Sequence, residues 1–527
     1  LFFKYKLVIR MNKNKTKIFL VFILFLLLIK TDYRLGSTIN CCGDDFDYYS
    51  HAYTISVDFD FDYENQIPEY SKFYFTNGEK IAPVGFSGSG LLAAPLLFIG
   101  NILDNVFNYS EKPFNFKIIF YSLSSLVYLT MAAILLHRSF LLLDKNIPKT
   151  TVLLLLSGSG VAYFALERFS MTHVYEVFIN ALIIYLSTAA FKTSKNIYFA
   201  LLPFSIFFGL LVKLSNFYIV LIPLIIKELL DIKFSNKIFK FKNIVNFFVG
   251  FLFSTIFFIY INFKIYGKVI LNPSETYSAQ SQLSNYLESS FNMVQFFLDI
   301  LNTLSIVVFS QEFGIFWLSP AIFILLFFNV YYLIQKKYLL FFYISIALFS
   351  NIAIVNLWQS LGSSYGFRYL YSLIPLGIFI FYISNFKLKE NFFKFYLLPF
   401  SIFGLFSVFI FEATPYVQLT TYEVVNSFGS TIRYSQPEYV SGIFQSLFII
   451  DTYLKLFATS FFGLIVFKFF ITAFEANGFY DLLDSLGLPL QNQDFVILIE
   501  KLETITLLQI SVFTFVLYLC SRQLVKD

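Results

Sequence analysis

Asp44, Asp45 and Asp47 stand almost side by side in the run Gly43-Asp44-Asp45-Phe46-Asp47-Tyr48-Tyr49-Ser50-His51-Ala52. Asp58, Asp60, Asp62 and Glu64 follow, alternating with Phe and Tyr. A carboxylate can serve as a general base or as a metal ligand. One held beside hydrocarbon is costly and tends to be kept for use, and Asp44 and Asp45 come soon after the first apolar segment. The plain alternative is a solvated acidic loop. Downstream, Glu79-Lys80-Ile81-Ala82-Pro83-Val84-Gly85-Phe86-Ser87-Gly88-Ser89-Gly90 joins a cation to a run of small residues. Small residues let a backbone approach a ligand closely, and Lys80 is a point charge suited to phosphate. A flexible turn whose lysine reaches for water explains the same residues.

In Glu167-Arg168-Phe169-Ser170-Met171-Thr172-His173-Val174-Tyr175-Glu176, His173 and Glu176 are three apart and share a helical face. Two ligands alone do not make a metal site, and a buried, hydrogen-bonded histidine accounts equally for the pattern. The fourth stretch is Trp358-Gln359-Ser360-Leu361-Gly362-Ser363-Ser364-Tyr365-Gly366-Phe367-Arg368-Tyr369-Leu370, where Arg368 opens an apolar segment after a Gly/Ser-rich turn. Positive anchors prefer the cytoplasmic side. Arg368 falls on the outer side of the topology below, which points to a bound anion.

The segments that must position these residues are apolar. The chain has 527 residues, 57% hydrophobic and 13% charged, with a mean hydropathy of +0.70. An ordinary globular chain is about 25% charged, so a water-soluble surface is excluded. Disorder is excluded as well, since it needs low hydrophobicity and high net charge. The 74 Phe residues suit lipid-facing surfaces. The net charge of +5 comes without a basic stripe and gives no sign of nucleic-acid binding. Cys41, Cys42 and Cys520 are too few for a disulfide scaffold or a Cys-based zinc site, and the adjacent pair reads as two free thiols. Met11 reads as the start of translation, with Leu1–Arg10 upstream of it.

A bilayer-crossing helix needs about 20 apolar residues. The first candidate is Ile18–Ile29, preceded by Lys13, Lys15 and Lys17. It reads as an uncleaved span, because Tyr33-Arg34-Leu35-Gly36 is no small-residue cleavage site. Further apolar segments centre on 116–136, 150–166, 173–191, 197–212, 215–230, 243–262, 314–334, 339–357, 368–385, 395–411, 443–473 and 506–521. Together they predict an all-helical polytopic membrane protein of roughly 13 spans. Residues 90–106 and 296–311 either cross or lie in the interface. Basic residues cluster at Arg138–Lys149, Lys192–Lys195, Lys227–Lys242, Lys336-Lys337 and Lys387–Lys394. With 1–17 and all these clusters cytoplasmic, the spans alternate without conflict. The outer segments are then 31–115, where short interfacial helices are expected over 44–80, together with 263–295 and 412–439. Region 18–411 forms the unit that carries chemistry, 412–527 adds an outer loop and C-terminal spans, and 475–505 is an acidic connector.

The order of the four polar stretches resembles the GT-C glycosyltransferases, in the style of the aminoarabinose transferase, the protein O-mannosyltransferases and their bacterial relatives. Those enzymes carry Asp-Glu-x-x-Tyr in the first outer loop. Here it reads Asp44-Asp45-Phe46-Asp47-Tyr48, with Asp at the second place. A Lys-Pro-Pro-Leu-like stretch is matched by Lys80-Ile81-Ala82-Pro83, and Met-Ser-His by Met171-Thr172-His173. Ser310, Gly314 and Pro320 match a spaced Ser-Gly-Pro element, and Gly366-Phe367-Arg368-Tyr369 matches Gly-x-Arg-Tyr. The resemblance covers 18–411.

The resemblance implies a GT-C-like fold and a polyprenyl-phosphate sugar donor used at the outer face of the cytoplasmic membrane. It implies a lipid, glycan or protein acceptor. The phosphate is already a good leaving group, so one carboxylate suffices as base and no general acid is needed, unlike glycoside hydrolysis. Asp44 is then the base and Asp45 an auxiliary carboxylate. Lys80 and Arg368 bind the donor phosphate, and His173, Glu176 and Tyr48 contact substrate. No certain cofactor is implied, and a divalent metal is left open. The rival class is a multi-span transporter or flippase for lipid-linked sugars or another anionic solute. Paired halves and charges at span centres, which that class would favour, are not evident.

Overall fold

The structure is a computed structural model that describes residues 16–27, 43–67, 74–108, 115–166, 168–231, 240–271, 275–276, 293–310, 314–358, 365–411, 419–425 and 431–437. The expected spans at 443–473 and 506–521, the connector 475–505 and all three cysteines lie outside the described residues.

Helices dominate. In chain order they are α1 (Thr16–Leu27), α2 (Gly43–Tyr53), α3 (Ser87–Phe107), α4 (Phe116–Leu142), α5 (Lys149–Leu166), α6 (His173–Thr193), α7 (Asn196–Val212), α8 (Ile222–Leu229), α9 (Phe241–Tyr266), α10 (Met293–Phe309), α11 (Pro320–Ile334), α12 (Tyr338–Trp358), α13 (Arg368–Ile383) and α14 (Lys389–Val408). Among the described residues, seven helices are long and apolar enough to cross a membrane: α3, α4, α5, α6, α9, α12 and α14. On α9, Phe248, Phe253 and Phe263 are 60–63% exposed, a surface that belongs in hydrocarbon rather than water. The protein is therefore helical and membrane-embedded. Residues 90–106, ambiguous in sequence, fall in α3, one of the seven.

Local chemistry explains where the helices start. The Asn115 side chain accepts from the Ile118 N–H at 3.0 Å, and the Asp104 carboxylate accepts from the N–H groups of Phe116 (2.7 Å) and Lys117 (3.1 Å). These bonds satisfy the N-terminal donors of α4 that have no partner within the helix.

Two antiparallel hairpins depart from the all-helical expectation. β1 (Tyr74–Asn77) pairs with β2 (Lys80–Pro83), and β3 (Leu419–Val425) with β4 (Thr431–Pro437). The first has a local cause. Gly78 takes φ 61° at the first position of a two-residue turn, the positive angle that a tight hairpin with correctly twisted strands requires. Of the interfacial helices expected over 44–80, α2 forms and ends through a wider turn at Thr54–Asp58. Beyond it, Asp60 and Asp62 accept from the N–H groups of Asp62 and Glu64 at 3.1 Å each. Asp60, Asp62 and Glu64 are exposed, so this part of the acidic run is a solvated loop.

The helices approach through small residues, as bilayer helices do. A Cβ on Gly250 of α9 would lie 2.1 Å from the Ala200 carbonyl oxygen of α7. The Gly/Ser run after the hairpin works the same way. A Cβ on Gly88 would lie 2.3 Å from the Val212 nitrogen, and one on Gly90 would lie 2.5 Å from Cβ of His51. The run thus admits neighbouring segments of the protein itself, at α7 and α2. Gly88→Ala is expected to destabilise the protein by about 1–3 kcal/mol, the usual cost of forcing volume into packed structure; a thermal melt in detergent measures it.

Helix alternation places the turns at 143–148, 194–195, 335–337 and 384–388 at one end of the bundle. The turns at 168–172, 213 and 365–367 lie at the other. Lys145 and Lys389 are within electrostatic range of each other, as a shared end requires.

Candidate functional site

The site is built at the end of the bundle opposite the lysine-rich turns. Asp44 and Asp45 occupy the first turn of α2, where unpaired N–H groups favour carboxylates. Asp45 faces inward and is 1% exposed. The turn between α5 and α6 reaches it. Arg168 donates from Nη2 (2.6 Å) and Nε (2.9 Å) to Oδ2 of Asp45, and the Ser170 hydroxyl donates to Oδ1. Burial pushes the Asp45 carboxyl above its ordinary value, against the pull of the Arg168 charge and of both hydrogen-bonding partners. Both oxygens are occupied, so Asp45 acts as a tie between α2 and the 168–170 turn. Asp44, the next residue back, is half-buried and makes no side-chain hydrogen bond or ion pair among the described residues.

One turn further along α2, Asp47 and His51 fasten the helix to the segment after the hairpin. Oδ2 of Asp47 accepts from the Gly85 N–H at 3.0 Å. His51 Nε2 lies 3.0 Å from the Gly85 carbonyl oxygen and Nδ1 lies 2.8 Å from the Tyr63 hydroxyl. A carbonyl only accepts, so Nε2 carries the proton and Nδ1 accepts from Tyr63. The Tyr266 hydroxyl, from the end of α9, donates to the same carbonyl at 2.9 Å. Tyr48 packs over Gly85, where a Cβ would lie 3.0 Å from its ring.

Burial, with the charge of Asp44, pushes Asp47 from 3.8 to about 8. Burial lowers His51 from 6.5 to about 4. The native state holds a proton on Asp47 that the unfolded chain has lost, so this residue favours folding at low pH and the benefit fades as pH rises toward 8. His51 acts oppositely, but only between its two values, so above pH 6.5 its contribution is flat. Asp47→Asn, which keeps the acceptor for Gly85 without a charge, is therefore expected to flatten a fall in melting temperature between pH 6.5 and 8. An unchanged slope in that window would remove Asp47 from this role.

Three further segments meet here: one brings the carboxylate Glu176 with His173, and two bring the cations Lys213 and Arg368. Glu176, on the first turn of α6, accepts from Thr172 Oγ1 (2.6 Å), Asn216 Nδ2 (2.6 Å) and Lys213 Nζ (3.3 Å). Nδ1 of His173 lies 3.1 Å from Glu176 Oε1, without hydrogen-bond alignment, and neither ring nitrogen has a hydrogen-bond partner among the described residues. Lys213 follows the last turn of α7 in extended conformation. Its Nζ lies 5.5 Å from the ring centre of Tyr369, and Cζ of Arg368 lies 5.5 Å from the same ring, within cation–π range. Arg368 lies within electrostatic range of Asp44, Arg168 and His173. No carboxylate among the described residues lies within ion-pair distance of it.

The structure thus brings Asp44, Asp45, His173, Glu176 and Arg368 into one cluster, while Tyr48, on the same helix as the two aspartates, packs against Gly85. Lys80 is placed differently: it is exposed on β2, with its stem near Gly267. Two cations with no assigned role in the sequence take part, Arg168 and Lys213. Lys213 was findable, as a lone lysine between the apolar segments 197–212 and 215–230 at the end where basic residues are disfavoured. No group of three or more His, Cys, Asp or Glu side chains suited to a metal occurs among the described residues. No known family's sequence profile matches the chain, and no curated protein or solved structure matches it.

Proposed function

We propose that the chain is a membrane glycosyltransferase of the GT-C kind, which moves a sugar from a polyprenyl-phosphate donor to a lipid, glycan or protein acceptor. The observation that carries this reading is Asp44: a half-buried carboxylate with no side-chain hydrogen bond or ion pair among the described residues, within electrostatic range of Arg368, an arginine that no described carboxylate neutralises at contact distance. A base beside an unneutralised cation is what a displacement with an anionic leaving group requires. The acceptor oxygen attacks the anomeric carbon as its proton passes to Asp44. The bond from that carbon to the phosphate oxygen breaks, and the anomeric centre inverts. The prenyl phosphate leaves with its electron pair, and Arg368 meets the charge that develops on it.

With the lysine-rich end cytoplasmic, the site faces the exterior or periplasm of the cytoplasmic membrane. The finer architecture of roughly 13 spans belongs to this same reading. The experiment is transfer of a radiolabelled sugar from polyprenyl phosphate by the full chain in nanodiscs. Transfer that follows the donor supports the enzyme. No transfer with any such donor, but movement of the labelled lipid between leaflets of proteoliposomes, would replace it with a flippase.

A further inference from the structure

We infer that Lys213 and Arg368, both held over the ring of Tyr369, form a clamp for one phosphate group, with Glu176 as the counter-ion that Lys213 keeps while the clamp is empty. This rests on the functional reading above and gives its anion site a second cation that no motif supplied. Three observations carry it.

The first is convergence. Lys213 ends α7 and Arg368 begins α13, far apart in sequence, yet each lies 5.5 Å from the same ring centre. Two like charges at one aromatic ring repel, and a shared anion offsets that repulsion.

The second is imbalance. Lys213 is shared with Glu176 at 3.3 and 3.5 Å, longer than the 2.6 Å bonds that the same carboxylate makes to Thr172 and Asn216. Glu176 therefore keeps short partners if Lys213 swings away. Arg368 has no such carboxylate among the described residues.

The third is access. Lys213, Arg368 and Tyr369 are each partly exposed, whereas Glu176 and His173 behind them are 3% and 2% exposed. The cations lie nearer the surface than the carboxylate does, with the Lys213 side chain 13% exposed and that of Glu176 1%. Arg368 offers planar paired donors and Lys213 a mobile point charge, which together suit the tetrahedral oxygens of phosphate.

The test uses the full chain in nanodiscs, with binding followed by intrinsic fluorescence. The probes are polyprenyl phosphate, inorganic phosphate and phosphatidylglycerol, so that a prenyl-linked phosphate is distinguished from free phosphate and from an ordinary lipid headgroup. Lys213→Met is expected to weaken polyprenyl phosphate binding about 10- to 100-fold, the size of one hydrogen bond to a charged group. The double variant Lys213→Met with Glu176→Gln removes the buried carboxylate along with its cation, so it leaves no unpaired buried charge should the single variant fold poorly, and it is expected to show the same loss. Lys195→Met, at the lysine-rich end, is expected to bind as the unaltered chain does.

Undiminished polyprenyl phosphate binding in the double variant would overturn the clamp and leave the glycosyltransferase reading intact, and a loss on Lys80→Met in its place would move the second cation to the hairpin. Binding of phosphatidylglycerol or inorganic phosphate that depends on Lys213, with none of polyprenyl phosphate, would support the clamp and overturn the glycosyltransferase reading. Binding of none of the three by the unaltered chain would overturn the clamp.

Discussion

Asp44→Asn should bind the polyprenyl-phosphate donor normally and turn it over about 10²–10⁴-fold more slowly, the usual contribution of a positioned base. The change keeps the shape of the side chain and removes only its ability to take a proton. Asp44 makes no side-chain hydrogen bond or ion pair among the described residues, so its loss breaks no structural contact there, and the protein should fold as before, with any small change in melting tracing to the lost charge beside Asp47 and the N-terminus of α2. The base acts only as the acceptor proton leaves, so the deficit should fall in kcat, with donor affinity unchanged. Single-turnover transfer of labelled sugar at saturating donor reads this directly. Turnover like that of the unaltered protein would remove Asp44 as the base. Asp45 could not easily replace it, since Arg168 and Ser170 occupy both its oxygens, and Asp47 is tied to the Gly85 N–H.

Arg168→Ala is expected to cost about 3–5 kcal/mol of stability, because it strands a buried carboxylate. The arginine side chain is 16% exposed and that of Asp45 2%, so water cannot easily replace the lost partner. The same pair sets the first turn of α2 against the 168–170 turn, so turnover should fall as well, through Asp44. Adding Asp45→Asn to Arg168→Ala should restore much of the stability, since no charge then remains buried, and chemical denaturation in detergent would measure both. A loss below about 1 kcal/mol for Arg168→Ala would place the pair among solvent-screened surface contacts. Failure of the second substitution to rescue would mean that the guanidinium matters for its packing and not for its charge.

Much of the helical framework is legible in the chain. The apolar segments at 116–136, 150–166, 173–191 and 243–262 fall within α4, α5, α6 and α9, because the length of an apolar run is a local property that needs no knowledge of neighbours. The basic clusters likewise separate one end of the bundle from the other. Less legible were the hairpin at 74–83, where a single glycine angle outweighs a mixed sequence, and the use of the Gly88–Gly90 run. Small residues next to a candidate site read as room for a ligand. They are room for Val212 and His51, and only the path of α7 and α2 tells the two apart.

The site divides in the same way. Sequence alone determined that Asp44, Asp45, His173, Glu176 and Arg368 are polar groups at the ends of apolar segments, where an unneeded charge is expensive. It could not say which of two adjacent carboxylates is available. Asp44 and Asp45 are the same residue type, one position apart, and differ only in direction: a helix turns each residue about 100° from the last, which aims Asp45 at Arg168 and leaves Asp44 without a side-chain hydrogen bond or ion pair among the described residues. Nor could it reveal that Lys213 and Arg368 share one ring, since α8 to α12 lie between them in the chain and the two meet only when α7 ends beside the start of α13. Hydrophobicity acts through local composition and is written along the chain. Electrostatic pairing acts over a few ångströms in space, so it is decided only once the helices have packed.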